Sequence, residues 1–234
     1  MTKPKCVMFD FGSTLLEGNL DPIKGNVAVL KESYNPKGIT AEQLQIEADK
    51  LDREILNSKR TTLLESTTTA FQNLLYDLHK IKVKGTSFEK ELLFWDAAVT
   101  LKPTEGIESL LKCLHEKGII CSIISNLTFS GAIIAHELQK HDLLGYFQNI
   151  NCSSDYGFRK PSKRIFEVAL LKDDCCPQDV WFIGDSIETD VQGALDAGMN
   201  PILYNQNGKQ IVERKDIVQI HNWRELEERI RKEL

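Results

Sequence analysis

The chain has 234 residues, of which 41% are hydrophobic and 27% charged, a balance typical of a globular protein that buries a core. Its 29 basic and 34 acidic residues give a net charge of −5 without a long basic run, which argues against nucleic acid as a partner. No apolar run is long enough to cross a bilayer or to act as a secretory signal, so we expect no membrane partner and a cytoplasmic protein with reduced cysteines.

The first predicted element is a short buried strand that stops at an acidic residue. The apolar run Cys6–Phe9 is followed by Asp10 and then by the turn residues Gly12, Ser13 and Thr14. Ligands of open α/β sheets bind at the carboxyl ends of the strands, so Asp10 stands at the edge where chemistry is expected. Gly12 has no side chain, and this gap limits the mechanisms that the site can use.

The next stretch, residues 16–99, has long helical patterns and no convincing strand. The periodicity of its apolar residues predicts three helices, over Thr40–Asn57, Leu63–Lys80 and Ser87–Ala98. We therefore predict a helical domain of residues 16–99, inserted into an α/β domain that is formed by residues 1–15 and 100–234.

From residue 100 onward, strand and helix patterns alternate. Apolar runs predict five further strands, at Ile119–Ile124, Phe147–Cys152, Val180–Ile183, Pro201–Tyr204 and Ile217–Ile220. Helical periodicity predicts the helices Pro103–Lys117, Gly131–His141, Ser162–Leu171, Val191–Ala197 and Trp223–Leu234. Regular alternation of this kind indicates a doubly wound parallel sheet, the α/β fold class.

Polar residues follow several of these strands or lie in the adjacent loops. They are Asp10, Ser125, Lys160 and the pair Asp185 and Asp190. Each is a weak signal alone, because an aspartate after a strand is often only a helix N-cap. Together, and in this order, they resemble the four motifs of the haloacid dehalogenase superfamily of phosphotransferases and phosphatases. The resemblance covers residues 1–15 and 100–205, and the helical insert is similar to that superfamily's cap domain.

The resemblance implies a Rossmann-like core and a Mg²⁺ site at the sheet edge. Asp10 matches the nucleophile, which would form an aspartyl-phosphate. Asp10 and Asp185 match the side-chain ligands of the metal, and Gly12 occupies the position that supplies a backbone carbonyl. Asp190 fits a ligand through water or a partner of Lys160.

The resemblance also implies a set of groups that position the phosphoryl group. Ser125, together with the backbone amide of Asn126, matches the donors that bind the phosphoryl oxygens. Lys160 matches the cation that holds the nucleophile and the phosphate in line. Both act by positioning and electrostatics, which are the main sources of phosphoryl-transfer catalysis.

The chain departs from the family pattern at Gly12, where phosphatases usually carry a second aspartate that serves as general acid and base. Such help typically accelerates a reaction by about 10²- to 10⁴-fold. We interpret the chain as a phosphatase of a small phosphorylated metabolite, whose acid comes from the cap, the substrate or water. Glu17, just past the first motif, is one candidate for this acid.

Two alternatives stay open. A phosphonatase-like enzyme would use a Schiff-base lysine of the cap, for which the insert offers Lys24, Lys31, Lys50 and Lys59 among others. A regulatory protein with vestigial catalysis would bind a phosphorylated ligand and close the cap without turnover. A metal-independent dehalogenase is disfavoured, because it does not need the acid pair Asp185 and Asp190. Oligomeric state and substrate identity are left open.

Overall fold

The computed structural model describes residues 3–56, 61–206, 208 and 217–233. The strands are β1 (Cys6–Phe9), β2 (Leu16–Leu20), β3 (Ser33–Tyr34), β4 (Lys82–Val83), β5 (Val99–Pro103), β6 (Ile120–Ser125), β7 (Asn149–Cys152), β8 (Val180–Gly184), β9 (Asn200–Tyr204) and β10 (Val218–Ile220). The helices are α1 (Pro22–Lys31), α2 (Ala41–Leu51), α3 (Thr68–His79), α4 (Ser87–Ala98), α5 (Ile107–Glu116), α6 (Gly131–Lys140), α7 (Ser153–Tyr156), α8 (Lys163–Lys172), α9 (Gln192–Asp196) and α10 (Trp223–Glu233). None of the helices described is long and apolar enough to cross a membrane.

The centre of the molecule is a parallel sheet of six strands, in the order β10-β9-β8-β1-β6-β7. Strand β1 lies between β6 and β8, with Phe9 opposite Ile123 on one side and Ile183 on the other. The predicted α/β class is confirmed, and all six predicted strands are present. Because the three strands are parallel and in register, the residues that follow β1, β6 and β8 meet at one edge of the sheet.

Both faces of the sheet are covered, which explains the nearly continuous apolar runs of the strands. On one face Phe9 packs against Trp223 of α10, with ring centroids 6.0 Å apart. On the other face Met8 and Phe182 belong to a second cluster with Phe166 of α8. Side chains therefore pack against the fully buried β1 from both faces of the sheet. This packing fixes the position of Asp10, the residue that follows the strand.

The prediction that residues 16–99 lack strands is wrong. β2 pairs antiparallel with β5, so that Leu16 lies opposite Pro103 and Leu20 opposite Val99, and the short β3 pairs with β4. The pattern of β2 gave no signal, because three of its five residues are exposed and its sequence, LEGNL, does not alternate. The β2–β5 ribbon carries the chain out of the sheet domain into the helices and back again.

Helix α1 was also missed by the sequence patterns. Asp21 caps it by accepting a hydrogen bond from the amide of Lys24, and Pro22 stands in its first turn. Gly25 in its middle is a poor helix former. The structure requires this glycine, because a Cβ here would lie 2.6 Å from the ring of Phe94 on α4.

Several predicted helix ends are wrong because turns and strands replace the first residues. The helix predicted from Leu63 begins at Thr68, because Leu63 lies in a turn with a positive φ and Leu64 bridges to Phe158. The helix predicted from Pro103 begins at Ile107, since Pro103 ends β5. Single π turns extend α2 over Asp52–Leu56 and precede α9 over Ile187–Val191, while Asn57 lies outside the described residues.

Helix α4 holds the helical insert against the sheet domain. Trp95 packs edge-on against Phe129, at 5.0 Å between centroids, and donates its indole N–H to Glu137 Oε2 of α6 at 2.8 Å. Glu91 accepts hydrogen bonds from the backbone N and the hydroxyl of Ser130, at 3.1 and 2.7 Å. These contacts hold the insert over the carboxyl edge of the sheet.

Candidate active site

Asp10 stands directly beyond β1, where the backbone and two side chains hold it. Its amide donates to the carbonyl of Ile183 on β8 at 2.8 Å, which continues the sheet ladder by one residue. The Lys160 ammonium donates to Asp10 Oδ1 at 2.6 Å, and the hydroxyl of Thr14 donates to Oδ2 at 3.2 Å. The carboxylate is thus fixed in orientation, with only 8% of the residue exposed.

Two further carboxylates lie beside Asp10. Oxygens of Asp10, Asp185 and Asp190 lie within 4.8 Å of one another. Lys160 Nζ pairs with Asp190 Oδ1 at 2.7 Å as well as with Asp10, and its side chain is 2% exposed. One buried lysine therefore faces three acidic side chains, so the cluster carries an excess of negative charge.

The pKa values of Asp10 and Asp185 are shifted mainly by burial and only secondarily by the neighbouring carboxylates. Burial raises the pKa of Asp10 to about 7; Lys160 opposes the rise, and the Asp190 carboxylate adds to it. Burial, then Asp190, raises the pKa of Asp185 above its usual range. A hard divalent cation such as Mg²⁺ would offset the repulsion and prefers carboxylate and carbonyl oxygens, so this donor set fits Mg²⁺.

Another side of the site is built from the end of β6. Ser125 is its last residue, 3% exposed. The side chain of the next residue, Asn126, accepts from the Lys160 backbone N at 2.7 Å and donates to the Lys160 carbonyl at 3.0 Å. The sequence motif assigned only the amide of Asn126 a role, whereas its side chain also positions Lys160.

One cavity of about 260 Å³ collects all of the predicted site residues. Its lining consists of Asp10, Gly12, Ser125, Asn126, Arg159, Lys160, Asp185, Thr189 and Asp190. The structure therefore brings the seven residues chosen from the sequence together, and adds Arg159 and Thr189. A substituent on Gly12 would point into open space, since a Cβ built there meets no atom within 4 Å.

The family model for haloacid dehalogenase-like hydrolases matches residues 7–204, which include all of these positions. The chain belongs to the haloacid dehalogenase-like hydrolases. It is 33% identical to a glyceraldehyde 3-phosphate phosphatase of Methanothermobacter thermautotrophicus over 174 residues, 69% of each chain.

Solved structures of other haloacid dehalogenase-like hydrolases share the fold. A 2-haloacid dehalogenase of Pseudomonas syringae superposes with a TM-score of 0.67 at 23% identity, over 100% of both chains. A HAD phosphatase of Thermococcus onnurineus gives 0.62 at 19% identity, over 98% of both chains. These two superpositions show a shared fold only, because a protein named as a dehalogenase and a protein named as a phosphatase both adopt it.

Glu17 and the lysines considered from the sequence lie elsewhere in this haloacid dehalogenase-like hydrolase. Glu17, on β2, pairs with Lys102 of β5 at 3.2 Å and does not line the cavity. Lys24, Lys31 and Lys50 are exposed and do not line it either. Lys59 lies outside the described residues.

A partly buried ion pair links the helical insert to the loop that carries Lys160, and no local sequence pattern indicated it. Glu65, 7% exposed, accepts a short hydrogen bond from Arg159 and another from the Ser153 hydroxyl at 2.9 Å. Two backbone bonds flank the pair, from Glu65 N to the Gly157 carbonyl and from Arg159 N to the Leu63 carbonyl, at 2.9 and 3.0 Å. The ion pair and these two backbone bonds hold the loop that carries Lys160 against the helical insert.

We expect Glu65→Gln to destabilise the hydrolase by about 1–3 kcal/mol. The amide keeps the size of the side chain and can still accept hydrogen bonds, but it leaves the partly buried Arg159 without its counter-charge. The urea midpoint of unfolding measures the loss. Glu116→Gln at the exposed end of α5 is the control, and an equal midpoint for both variants would show that the ion pair contributes nothing.

Proposed function

We propose that this hydrolase is a Mg²⁺-dependent phosphatase that cleaves the phosphate monoester of a small metabolite through an aspartyl-phosphate on Asp10. The observation that carries the proposal is the fixed Asp10 carboxylate, held by Lys160 beside the acidic pair Asp185 and Asp190. A nucleophile oriented in this way, next to oxygen ligands for a metal, suits attack on phosphorus. The phosphatase name of the archaeal relative supports the same reaction.

In the first proposed step, a carboxylate oxygen of Asp10 attacks phosphorus, and the bond between phosphorus and the ester oxygen breaks. The ester oxygen leaves with the bonding electrons and takes up a proton from water, since no carboxylate stands at Gly12. Lys160 holds the nucleophile in line, while Ser125 and the amide of Asn126 donate to the phosphoryl oxygens. Bound Mg²⁺ supplies positive charge that offsets the repulsion between Asp10 and the substrate. Water then attacks the phosphorus of the aspartyl-phosphate, which releases inorganic phosphate and restores Asp10.

We further propose that residues 16–99 act as a cap domain on a core of residues 1–15 and 100–234. The β2–β5 ribbon is its connection, and the Glu65–Arg159 pair is a contact that closes it over the site. Closure would exclude water from the first step and select the substrate. The cytoplasm remains our proposed compartment, in keeping with the free thiols of the six cysteines.

Phosphate release from a panel of monoesters tests the proposal. The purified protein is assayed with Mg²⁺ on phenyl phosphate, glycerol 3-phosphate and glyceraldehyde 3-phosphate, with and without excess EDTA. We expect release that EDTA abolishes and added Mg²⁺ restores. Phosphate release that survives EDTA would contradict the proposed Mg²⁺ dependence. Binding of these esters without any turnover would favour the alternative of a regulatory protein with vestigial catalysis.

Asp185→Asn is expected to raise the Mg²⁺ concentration for half-maximal rate at least about tenfold, because one charged ligand becomes neutral. The titration is followed by the rate of phenyl phosphate hydrolysis. Asp196→Asn, on the exposed side of α9, is the matched control. The metal assignment fails if the two variants give the same Mg²⁺ dependence.

A further inference from the structure

The carboxylate of Glu65 accepts hydrogen bonds from three donors on different segments. Arg159 donates to Oε2 through a short bond, the hydroxyl of Ser153 donates to the same oxygen at 2.9 Å, and the amide of Ser66 donates to Oε1 at 3.2 Å. A buried carboxylate keeps its charge only where donors of this kind replace water. Glu65 of the insert is therefore bound at once to the residue after β7 and to the loop that carries Lys160.

The hydroxyl of Ser153 extends this contact to the loop after β6. Ser153 directly follows β7 and is fully buried. Its oxygen accepts from the amide of Leu127 at 3.0 Å, and its proton faces Glu65 Oε2 at 2.9 Å and the Leu127 carbonyl at 3.2 Å. The carboxylate is the nearer and the charged acceptor, so it binds this proton more strongly. Glu65 thus orients the hydroxyl that holds the peptide between Asn126 and Leu127.

The same two loops are also joined directly to each other. The Asn126 side chain accepts from the backbone N of Lys160 at 2.7 Å and donates to its carbonyl at 3.0 Å. Together with the bonds of Glu65, this junction closes a ring of contacts. Its members, in order, are Glu65, Arg159, Lys160, Asn126, Leu127 and Ser153. One junction alone would let the loops pivot about it, whereas a second one fixes both their separation and their tilt.

We propose that Glu65 is a positioning residue of the phosphatase reaction, which sets the amide of Asn126 and the ammonium of Lys160 at the spacing that the transferring phosphoryl group needs. The inference rests on the proposed function and deepens it. Glu65 does not line the active-site cavity, so it acts through Arg159 and Ser153 and not on the substrate. Because this residue comes from the insert, the sheet domain by itself lacks one of the contacts that align its phosphoryl site.

A second buried carboxylate separates alignment of the loops from attachment of the insert. Glu137 of α6 accepts from the indole N–H of Trp95 on α4 at 2.8 Å and from Lys140 at 2.9 Å. It is 1% exposed and, like Glu65, it links the insert to the sheet domain. It neither lines the active-site cavity nor belongs to the ring. A change at Glu137 therefore weakens the attachment of the insert and leaves the two loops joined.

Glu65→Ala and Ser153→Ala test the inference, with phenyl phosphate as the substrate at saturating Mg²⁺. Each variant opens the ring at one point. We expect kcat to fall about tenfold to hundredfold in each, because a misplacement of about 1 Å can cost 10²-fold in rate, while KM changes less than about threefold. Glu137→Ala is the matched control and should keep kcat within about twofold of the wild type. Circular dichroism at the assay temperature gives the folded fraction to which every rate is normalised.

Two further measurements distinguish alignment from a loss of stability. Glu65→Gln keeps an oxygen that accepts from Arg159 and Ser153, so it should recover part of the kcat that Glu65→Ala loses. The double variant Glu65→Ala/Ser153→Ala should be at most about twofold slower than the slower single variant, because either change alone already opens the ring. Two independent defects would multiply their effects instead.

The outcomes separate the inference from the function on which it rests. If the wild-type protein releases no phosphate from phenyl phosphate, the proposed function fails and the inference fails with it. If the wild type hydrolyses the ester but Glu65→Ala and Ser153→Ala match Glu137→Ala in kcat, the inference fails alone. A loss confined to KM, or multiplied losses in the double variant, would also overturn it. Ser153→Ala removes a single oxygen and decides the question should Glu65→Ala not fold.

Discussion

Asp10→Asn should lower kcat for phenyl phosphate by about 10⁴-fold or more, the scale on which enzymes lose activity with their nucleophile. The amide is a far weaker nucleophile and cannot form the aspartyl-phosphate. The fold should survive the change, because the amide oxygen can still accept from Lys160, which also keeps its pair with Asp190. Burial already disfavours a charge at this position, so the neutral side chain is not costly there.

The control for this change is a buried aspartate away from the cavity. Asp173 is 4% exposed, lies near the opposite end of β1 beside Cys6, and does not line the active site. Asp173→Asn should keep most of the activity. The mass of acid-quenched protein gives a second measurement, since the wild type should gain one phosphoryl group during turnover and Asp10→Asn should not. An Asp10→Asn protein as active as the control would remove Asp10 from the mechanism.

The place of the candidate site could be predicted because its residues end or directly follow buried parallel strands. Asp10 comes after β1, Ser125 ends β6, and Asp185 comes after β8. Strands of this kind are recognisable as apolar runs, and their parallel arrangement forces their carboxyl ends to meet. Knowledge of strand order was not needed, since any parallel order of neighbouring strands brings these three residues to the same edge.

The contacts that orient the site could not be predicted, because they join segments far apart in the chain. The Asn126 side chain brackets the backbone of Lys160, 34 residues away, and Glu65 reaches Arg159 across 94 residues. Neither asparagine nor glutamate has a local pattern that marks such a partner. Arg159 had a weak signal, since it precedes Lys160, but a basic pair in a loop is more often a solvated surface.

The β2–β5 ribbon is an element of the fold that also depends on contacts between distant segments, and the sequence patterns therefore missed it. Its strands join residues that are 79 to 87 positions apart, from Leu20 with Val99 to Leu16 with Pro103, and β2 shows neither an apolar run nor an alternation. Pairing stabilises them only after the chain has left the sheet domain and returned to it. Local patterns thus indicated the sheet and most helices, whereas the connection between the insert and the sheet depended on tertiary contacts.

Among the substitutions predicted here, Gly12→Asp should produce the largest gain in activity, because it places a carboxylate at the position of the first motif that has no side chain. In the part of the chain that the structure describes, the only carboxylates that line the active-site cavity are the three of the acidic cluster, so none is free to protonate a leaving group. Gly12→Asp would supply that acid at a point where a Cβ meets no atom within 4 Å. We expect kcat for glycerol 3-phosphate to rise by about 10²-fold, at the lower end of general acid–base effects.

The gain should depend on the leaving group, and this dependence tests the mechanism. Phenol leaves without much protonation, so Gly12→Asp should raise the rate for phenyl phosphate far less than for glycerol 3-phosphate. Gly145→Asp is the matched control, because Gly145 is exposed in the turn at residues 144–146, and a Cβ there also meets nothing within 4 Å. The new carboxylate adds a fourth negative charge to the cluster, so both variants are compared at saturating Mg²⁺. If wild-type protein already cleaves both esters equally fast, another group supplies the proton and Gly12→Asp should bring no gain.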